Sequence, residues 1–222
     1  MEFVDALEGP SENGSHDIES FSSEHNGNSA ASQIDEIKPG EEIEKNIDEA
    51  LTAKAEGNEF YKKKEYDDAI QSFTKAIKLC PEDELHKEQM AIFFGNRSAC
   101  YYTMNEYELT IEDCTHAITN NPKYLKVIIR RSQAYEMILK YEEALSDAKT
   151  VQELDPCHPK IQETIKRLER LHEEKMNKLK DEALGKLKDL GNTILGNFGM
   201  SLDNFKMNQD PASGSWNISM NS

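Results

Sequence analysis

Five side chains in this sequence have the types and spacing needed to hold an anionic group. Lys54 and Asn58 stand four residues apart, as do Lys126 and Arg130, so each pair shares one face if its segment is helical. Asn96, within GNRSA, adds another amide. These groups donate hydrogen bonds, and bonds to charged oxygens are the stronger, charge-assisted kind. The set therefore predicts recognition of anionic oxygens, provided that the fold brings the three segments together.

The rest of the sequence carries no pattern typical of an enzyme. We find no nucleophile–base set, no metal-binding cluster and no phosphate loop. The six histidines are scattered singly, and the four cysteines, at positions 80, 100, 114 and 157, show no C-x-x-C spacing. We therefore expect a non-enzymatic protein that uses no metal and no cofactor.

The charge distribution separates an acidic arm from the rest of the chain. The net charge is −16, and residues 1–49 alone hold 14 acidic and 2 basic side chains. That segment is rich in Ser, Asn and Gly, so it cannot bury enough apolar area to fold, and we expect it to be disordered. An acidic chain lacks the basic surface that phosphate binding requires, which argues against a nucleic acid partner.

The expected compartment is the cytoplasm. The N-terminus, MEFVDALEGP, has neither the basic start nor the apolar core of a signal peptide. No apolar run approaches the roughly 18 residues of a membrane span. Cysteines without a pairing pattern favour reduced thiols.

A repeat organises the middle of the chain. Three similar segments end at Pro81, Pro122 and Pro156, with spacings of 41 and 34 residues. Small and aromatic residues recur at fixed offsets before each proline. They are Gly57, Phe60, Ala69, Phe73 and Ala76; Ser98, Tyr101, Thr110, Cys114 and Ala117; and Ser132, Tyr135, Ala144, Ala148 and Val151.

This pattern resembles the tetratricopeptide repeat, in which each copy is a pair of antiparallel helices, A and B. Small residues let the two helices approach closely, which accounts for Gly57 inside a helix despite its cost of about 1 kcal/mol. The resemblance implies an all-α fold in which three helix pairs stack into a right-handed superhelix. The repeat region is 50–156, with copies at 50–83, 91–124 and 125–158. The seven extra residues of the first spacing fall in EDELHKEQMAIFF and predict that helix A of the second repeat is two turns longer.

Within this family, the five polar side chains resemble the two-carboxylate clamp of chaperone-binding domains. That clamp holds the C-terminal Glu-Glu-Val-Asp of the cytosolic chaperones Hsp90 and Hsp70. The resemblance implies that Lys54, Asn58 and Asn96 hold the main-chain carboxylate of the final Asp. Lys126 and Arg130 would then serve its side-chain carboxylate and the preceding peptide.

The implied function is that of a non-enzymatic co-chaperone or adaptor. The alternative is a scaffold that binds another folded protein or an internal helix through the repeat groove. A clamp requires a free carboxylate at the end of its ligand, and a scaffold does not. Four further residues are candidates for the groove lining, namely Tyr61, Tyr102, Ile129 and Gln133, although aromatic residues at helical spacing more often belong to a core.

Two segments follow the repeats. Apolar residues recur at helical spacing over 159–190, which predicts a long amphipathic helix whose first half caps the last repeat and whose second half projects. Residues 191–222 form a tail in which NFKMNQ and SWNISM flank DPASG, which favours a hairpin, and a disordered end is the alternative. The tail and the acidic arm are the candidate sites for a second protein partner.

Overall fold

The computed structural model describes residues 44–202, 205–209 and 216–220. The acidic arm up to residue 43 therefore lies outside the described residues. The described part contains seven α-helices, one 3₁₀ turn and two short strands, which confirms the predicted all-α class. The helices are α1 (Ile47–Lys62), α2 (Tyr66–Leu79), α3 (Lys87–Thr103), α4 (Tyr107–Asn120), α5 (Leu125–Met137), α6 (Tyr141–Leu154) and α7 (Ile161–Gly196).

The chain divides into two compact units, one ending at Ala134 and the other beginning at Tyr135. In the first unit α1 packs on α2, α2 on α3, and α3 on α4, as expected for successive helix pairs. In the second unit α6 packs on α7.

Helix α1 begins earlier than the sequence indicates, because a capping residue precedes it. The side chain of Asn46 accepts hydrogen bonds from the backbone N–H groups of Asp48 and Glu49. These two acidic residues also lie in the first helical turn, where negative charge is favourable. Residues 47–49, which were assigned to the arm, therefore belong to the first repeat.

The small residues of the repeat pattern lie where the helices touch. An ideal Cβ added to Gly57 would lie only 2.7 Å from Cε1 of Phe73, so the aromatic ring occupies the space that glycine leaves. The corresponding positions in all three copies are buried: Ala69, Phe73 and Ala76; Ser98, Thr110, Cys114 and Ala117; and Ser132, Ala144, Ala148 and Val151. Apart from Phe73, whose ring fills the space beside Gly57, these buried positions hold small or modest side chains because the helices approach closely there.

The turn between helices A and B is the same in all three copies. One residue in each turn has a positive φ, namely Lys64 (65°), Asn105 (63°) and Leu139 (60°). The N–H of the residue that follows bonds to the carbonyl of Phe60, Tyr101 or Tyr135, at 3.0, 2.9 and 2.8 Å. This long backbone bond, together with the left-handed residue, is the Schellman ending of a helix.

The seven extra residues do not form two additional α-helical turns. Residues Glu84–His86 form a 3₁₀ turn, and α3 begins at Lys87. The side chain of Asp83 accepts bonds from the N–H groups of Leu85 and His86, and His86 Nδ1 lies 2.7 Å from Asp83 Oδ1. These local bonds stabilise the tighter turn, so only part of the insertion lengthens the helix.

A part-buried ion pair joins the two helices of the second repeat, and its arginine also bonds to the first repeat. Arg97 donates from Nε and Nη2 to the two oxygens of Asp113 at 2.8 and 2.7 Å, and from Nη1 to Thr74 at 2.9 Å. Its guanidinium also lies over the rings of Phe94 and Tyr101. The bidentate bridge joins α3 to α4, and the third bond joins α3 to α2.

Helix α7 is buried only near its start. Ile161, Ile165 and Leu168 are buried, and α7 packs on α6 there. The apolar residues further along are exposed, as expected for a half that projects. The helix continues to Gly196, beyond the expected end at 190. The residue with a positive φ that ends it is Gly199. The N–H of Met200 bonds to the carbonyl of Leu195 at 3.0 Å, closing the helix.

The tail returns toward α7 and then forms two strands. The side chain of Leu202 packs against Gly191 and occupies the space where a Cβ would lie. The backbone N–H of Leu202 donates to Asn192 Oδ1 at 2.7 Å. Strands β1 (Phe205–Gln209) and β2 (Trp216–Met220) pair antiparallel, with Phe205 opposite Met220 and Gln209 opposite Trp216. Residues 210–215, which include the whole of the expected DPASG turn, lie outside the described residues.

Candidate peptide-binding site

Helix α1 presents Lys54 and Asn58 one turn apart, beside its packed face. Ala50, Ala53 and Gly57 are the buried residues of α1, whereas Lys54 and Asn58 are half-buried. The two side chains therefore lie at the border between the core and solvent. That position leaves an ammonium and an amide available at the surface while their backbone is held rigidly.

Asn58 and Asn96 meet across the interface between α1 and α3. Asn96 is buried, and its Nδ2 donates a hydrogen bond to Asn58 Oδ1 at 3.2 Å. The bond occupies the oxygen of Asn58 and directs its amide nitrogen away from Asn96. The bond uses one N–H of Asn96 and neither N–H of Asn58. The pair therefore has three amide N–H donors left for a ligand.

Arg130 of α5 is anchored on α3 beside Asn96. Its Nη1 donates to the backbone carbonyl of Gly95 at 3.0 Å and to Ser98 Oγ at 3.1 Å. Ser98 Oγ in turn donates to the same carbonyl at 2.8 Å. A guanidinium has five N–H donors, and these bonds engage only Nη1. These bonds place Arg130 next to Asn96 and do not use its Nε and Nη2.

Lys126 lies one turn before Arg130 on the same face of α5. It is exposed, while Val127 and Ile128 on the other faces are buried. The five predicted side chains therefore form one row. Asn58 bonds to Asn96, and Arg130 bonds to the residue before Asn96. Lys54 lies one turn from Asn58, and Lys126 lies one turn from Arg130. The structure brings the asparagines and Arg130 together directly, and it places the lysines by helical spacing.

Buried thiols beneath Arg130 add no negative charge to the site. Burial raises the pKa of Cys100 to about 12 and that of Cys114 to about 11, and the charge of Arg130 only partly opposes these shifts. Both thiols stay protonated at neutral pH. The positive charge of Arg130 is therefore not offset by a thiolate.

The four groove-lining candidates differ in exposure. Tyr61 and Tyr102 are half-buried, and each makes an edge-on ring contact with the first residue of the following helix, Tyr66 or Tyr107. Tyr61 also packs against the cluster around Phe73. Ile129 is half-buried and Gln133 is exposed. The tyrosines thus have a packing role in the first two repeats, in line with the core alternative.

The sequence did not reveal the groups that position Arg130. One of them is the backbone carbonyl of Gly95, and a carbonyl carries no residue-specific signal. Ser98 could have been noticed, because it occupies the small-residue position of the second repeat. Its hydroxyl, however, takes part in the site only because α5 crosses α3 there.

The described residues show neither a metal cluster nor a membrane-spanning helix. Within these ranges no group of three or more His, Cys, Asp or Glu side chains could hold a metal ion. No helix of the described part combines the length and the apolar character needed to cross a membrane.

Comparisons with known proteins agree with this architecture. Residues 54–83 match the family model of the tetratricopeptide repeat. The mitochondrial import receptor subunit TOM70 of Homo sapiens is 36% identical over 114 residues, which cover 51% of this chain and 18% of that protein. The DnaJ homolog subfamily C member 7 homolog of Dictyostelium discoideum is 34% identical over 140 residues, covering 63% of this chain and 25% of that protein. The chain thus spans a quarter or less of the length of these relatives.

Among solved structures, the first tetratricopeptide domain of Spaghetti (RPAP3), bound to the HSP90 peptide SRMEEVD, superimposes with a TM-score of 0.51 at 27% identity. The match covers 58% of this chain and 96% of that domain. The family match over residues 54–83, the buried small-residue pattern and the repeated helix pairs together show that the described part has the tetratricopeptide repeat fold.

Proposed function

We propose that this protein binds C-terminal Glu-Glu-Val-Asp peptides of Hsp90 and Hsp70 through a two-carboxylate clamp. The observation that carries the proposal is the connected set on α1, α3 and α5, in which Asn96 bonds to Asn58 and Arg130 is anchored on the residue before Asn96. The set offers hydrogen-bond donors from three successive A helices. A terminal Asp, with two carboxylates on one residue, is the ligand that matches it.

Each member has a distinct part in the proposed complex. Lys54 supplies the charge for the main-chain carboxylate, and the amides of Asn58 and Asn96 supply oriented donors. Lys126 and Arg130 serve the side-chain carboxylate of the same Asp and the peptide bond before it. Because the two asparagines and Arg130 are already held by internal bonds, little side-chain freedom is lost on binding.

Two resemblances support the proposal. The Spaghetti domain, which is 27% identical and almost fully covered, is bound to an HSP90 peptide ending in Glu-Glu-Val-Asp. The order of acidic arm, three repeats, long helix and tail also resembles tetratricopeptide repeat protein 1, with similarity over about residues 50–222. On this basis we propose a cytoplasmic, non-enzymatic co-chaperone or adaptor, with the tail or the acidic arm available to a second protein.

The decisive experiment is a thermodynamic cycle on Lys54 and the peptide terminus. A hydrogen bond to a charged group contributes about 1.5–3 kcal/mol, so amidating the peptide should lower affinity by roughly tenfold to a hundredfold. Lys54→Ala should cost about as much with the free acid and almost nothing further with the amide, because both changes remove one interaction. Calorimetric titration of both peptides against both proteins closes the cycle.

Lys75→Ala provides the matched control. It removes the same charge from an exposed position on α2, outside the proposed clamp, and should leave the affinity unchanged. Losses that simply add would show that Lys54 does not touch the terminal carboxylate. Equal binding of free-acid and amidated peptides would favour a scaffold that recognises an internal segment.

A further inference from the structure

The projecting half of α7 carries an apolar stripe that the repeats do not use. Its members are Met176, Leu179, Ala183, Leu187, Leu190 and Ile194. The five large side chains among them are between 48% and 64% exposed. At 100° per residue all six fall within an arc of about 80°. A continuous exposed apolar face of this length is typical of an interaction surface.

The spacing of the stripe shows the kind of helix that could cover it. Five steps span the residues from Met176 to Ile194, so one step averages about 3.6 residues, the repeat of a straight α-helix. The stripe therefore runs parallel to the helix axis without drifting around it. A second straight helix could lie along its whole length.

The stripe is also complementary to itself when reversed. If two copies of α7 lie antiparallel and cross near Leu184 and Gly185, Met176 falls opposite Ile194 of the second copy. In the same arrangement Leu179 falls opposite Leu190, and Ala183 opposite Leu187. Every apolar residue of the stripe thus meets another, and the small Ala183 leaves room for Leu187 near the crossing point.

The residues along the two edges fit the same arrangement. In a two-fold antiparallel pair, each edge of the stripe faces the same edge of the other copy. Glu182 and Lys186 lie on one edge. Glu182 of each copy therefore meets Lys186 of the other, which gives two such contacts in the pair. Leu184, which is 54% exposed, lies on the other edge and meets its own counterpart. Opposite charges at such flanking positions select the partner and its direction.

The net charge of the segment also favours a second copy. Residues 176–194 contain four lysines and three acidic residues, although the whole chain carries −16. This stretch can approach its own copy without the repulsion expected elsewhere. A helix that lies on a membrane usually has a polar face rich in Lys and Arg, whereas here acidic residues alternate with the lysines.

We propose that the projecting half of α7 is a homodimerisation surface, in which the stripe of one chain pairs antiparallel with that of a second copy, in register through Glu182–Lys186 contacts. The contact is one helix face wide, so we expect a weak, reversible dimer in the micromolar range. This inference is independent of the clamp.

Sedimentation equilibrium of the full chain, from low micromolar to several hundred micromolar, tests the proposal. The wild-type protein should show a monomer–dimer equilibrium, and Leu187→Glu should weaken it by at least about tenfold by placing a charge in the stripe. Glu182→Lys should also weaken it, and adding Lys186→Glu should restore it. Asp181→Lys is the matched control, because it makes the same charge change away from the stripe and should have no effect.

Cross-linking tests the direction. In a Cys157→Ser background, Met176→Cys and Ile194→Cys are made in separate chains, whose substituted positions are about 27 Å apart along one helix. Mild oxidation of the mixture should give the mixed disulfide dimer and neither homodimer. Since the changed positions are exposed, circular dichroism should show unaltered helicity in every variant.

Three results would overturn the proposal. The first is a wild-type chain that stays monomeric over the whole range, the second is failure of the charge exchange to restore the dimer, and the third is homodimers in the cross-linking experiment. Binding of a monomeric chain to anionic vesicles, lost in Leu187→Glu, would assign the stripe to a membrane surface instead.

Discussion

Replacing Gly57 with alanine should destabilise this protein, although alanine is the better helix former. The change removes a helix-propensity penalty of about 1 kcal/mol. It also places a Cβ 2.7, 2.9 and 3.0 Å from three ring atoms of Phe73, which is fully buried. A rigid ring in a close-packed core cannot move aside freely, and such overpacking costs about 1–3 kcal/mol. Because three ring atoms are crowded at once, we expect the upper part of that range and a net loss of about 1–2 kcal/mol.

Urea unfolding of four proteins measures this balance: the wild type, Gly57→Ala, Phe73→Leu and the double variant. Leucine at 73 removes the crowding ring, so in that background Gly57→Ala should stabilise by about 1 kcal/mol. The sign of the substitution should therefore reverse between the two backgrounds.

Gly185→Ala provides the control for propensity alone. A Cβ there would meet nothing within 4 Å, so the change should strengthen α7 locally, visible as slower amide exchange around the site. If Gly57→Ala stabilised the wild-type protein as well, close packing would not be the reason for glycine at that position.

Three further outcomes follow from the described contacts. Leu139→Gly should stabilise the protein by about 0.5–1 kcal/mol, because glycine adopts a positive φ without strain; Leu139→Ala keeps the strain and should show no gain in urea unfolding. Asp113→Ala should cost about 3–5 kcal/mol, because it leaves the guanidinium of Arg97 buried without its partner; a loss below about 1 kcal/mol in the same assay would contradict a structural role for the bridge. Iodoacetamide at about pH 8 should modify only Cys157 in the folded protein, because the other thiols are buried and their pKa values are raised. Mass spectrometry of the native and urea-treated protein checks this, and rapid native labelling of a second cysteine would refute it. The protected thiols are Cys80, Cys100 and Cys114.

The repeat was predictable from the sequence because its signal is steric. Positions such as Gly57 and Ala117 need small or modest side chains in every copy. This requirement is visible in the sequence as small residues that recur at a fixed spacing. The same logic located the candidate clamp, since polar groups four residues apart on A helices share a face. Its role as a peptide site stays a prediction.

Features that depend on backbone conformation were not predictable in this way. The A–B turns place Lys64, Asn105 and Leu139 in the left-handed region, where glycine would have been the expected signal. The 3₁₀ turn before α3 arises from Asp83, whose capping competes with a longer helix. The bridge between Arg97 and Asp113 joins two helices through charged residues that, in a sequence, resemble any solvated pair.

The burial of Ile161, Ile165 and Leu168 against α6 has a consequence for how the molecule ends. A stack of helix pairs is a one-dimensional lattice, in which each pair is held mainly by its nearest neighbours. The last member of such a lattice has only one neighbour, so it frays first, and its uncovered side can add another unit. The start of α7 supplies the missing neighbour with a single helix whose far side does not continue the pattern. The start of α7 thus occupies the side of α6 on which another unit would stack, and we expect it to oppose both fraying and end-to-end growth there.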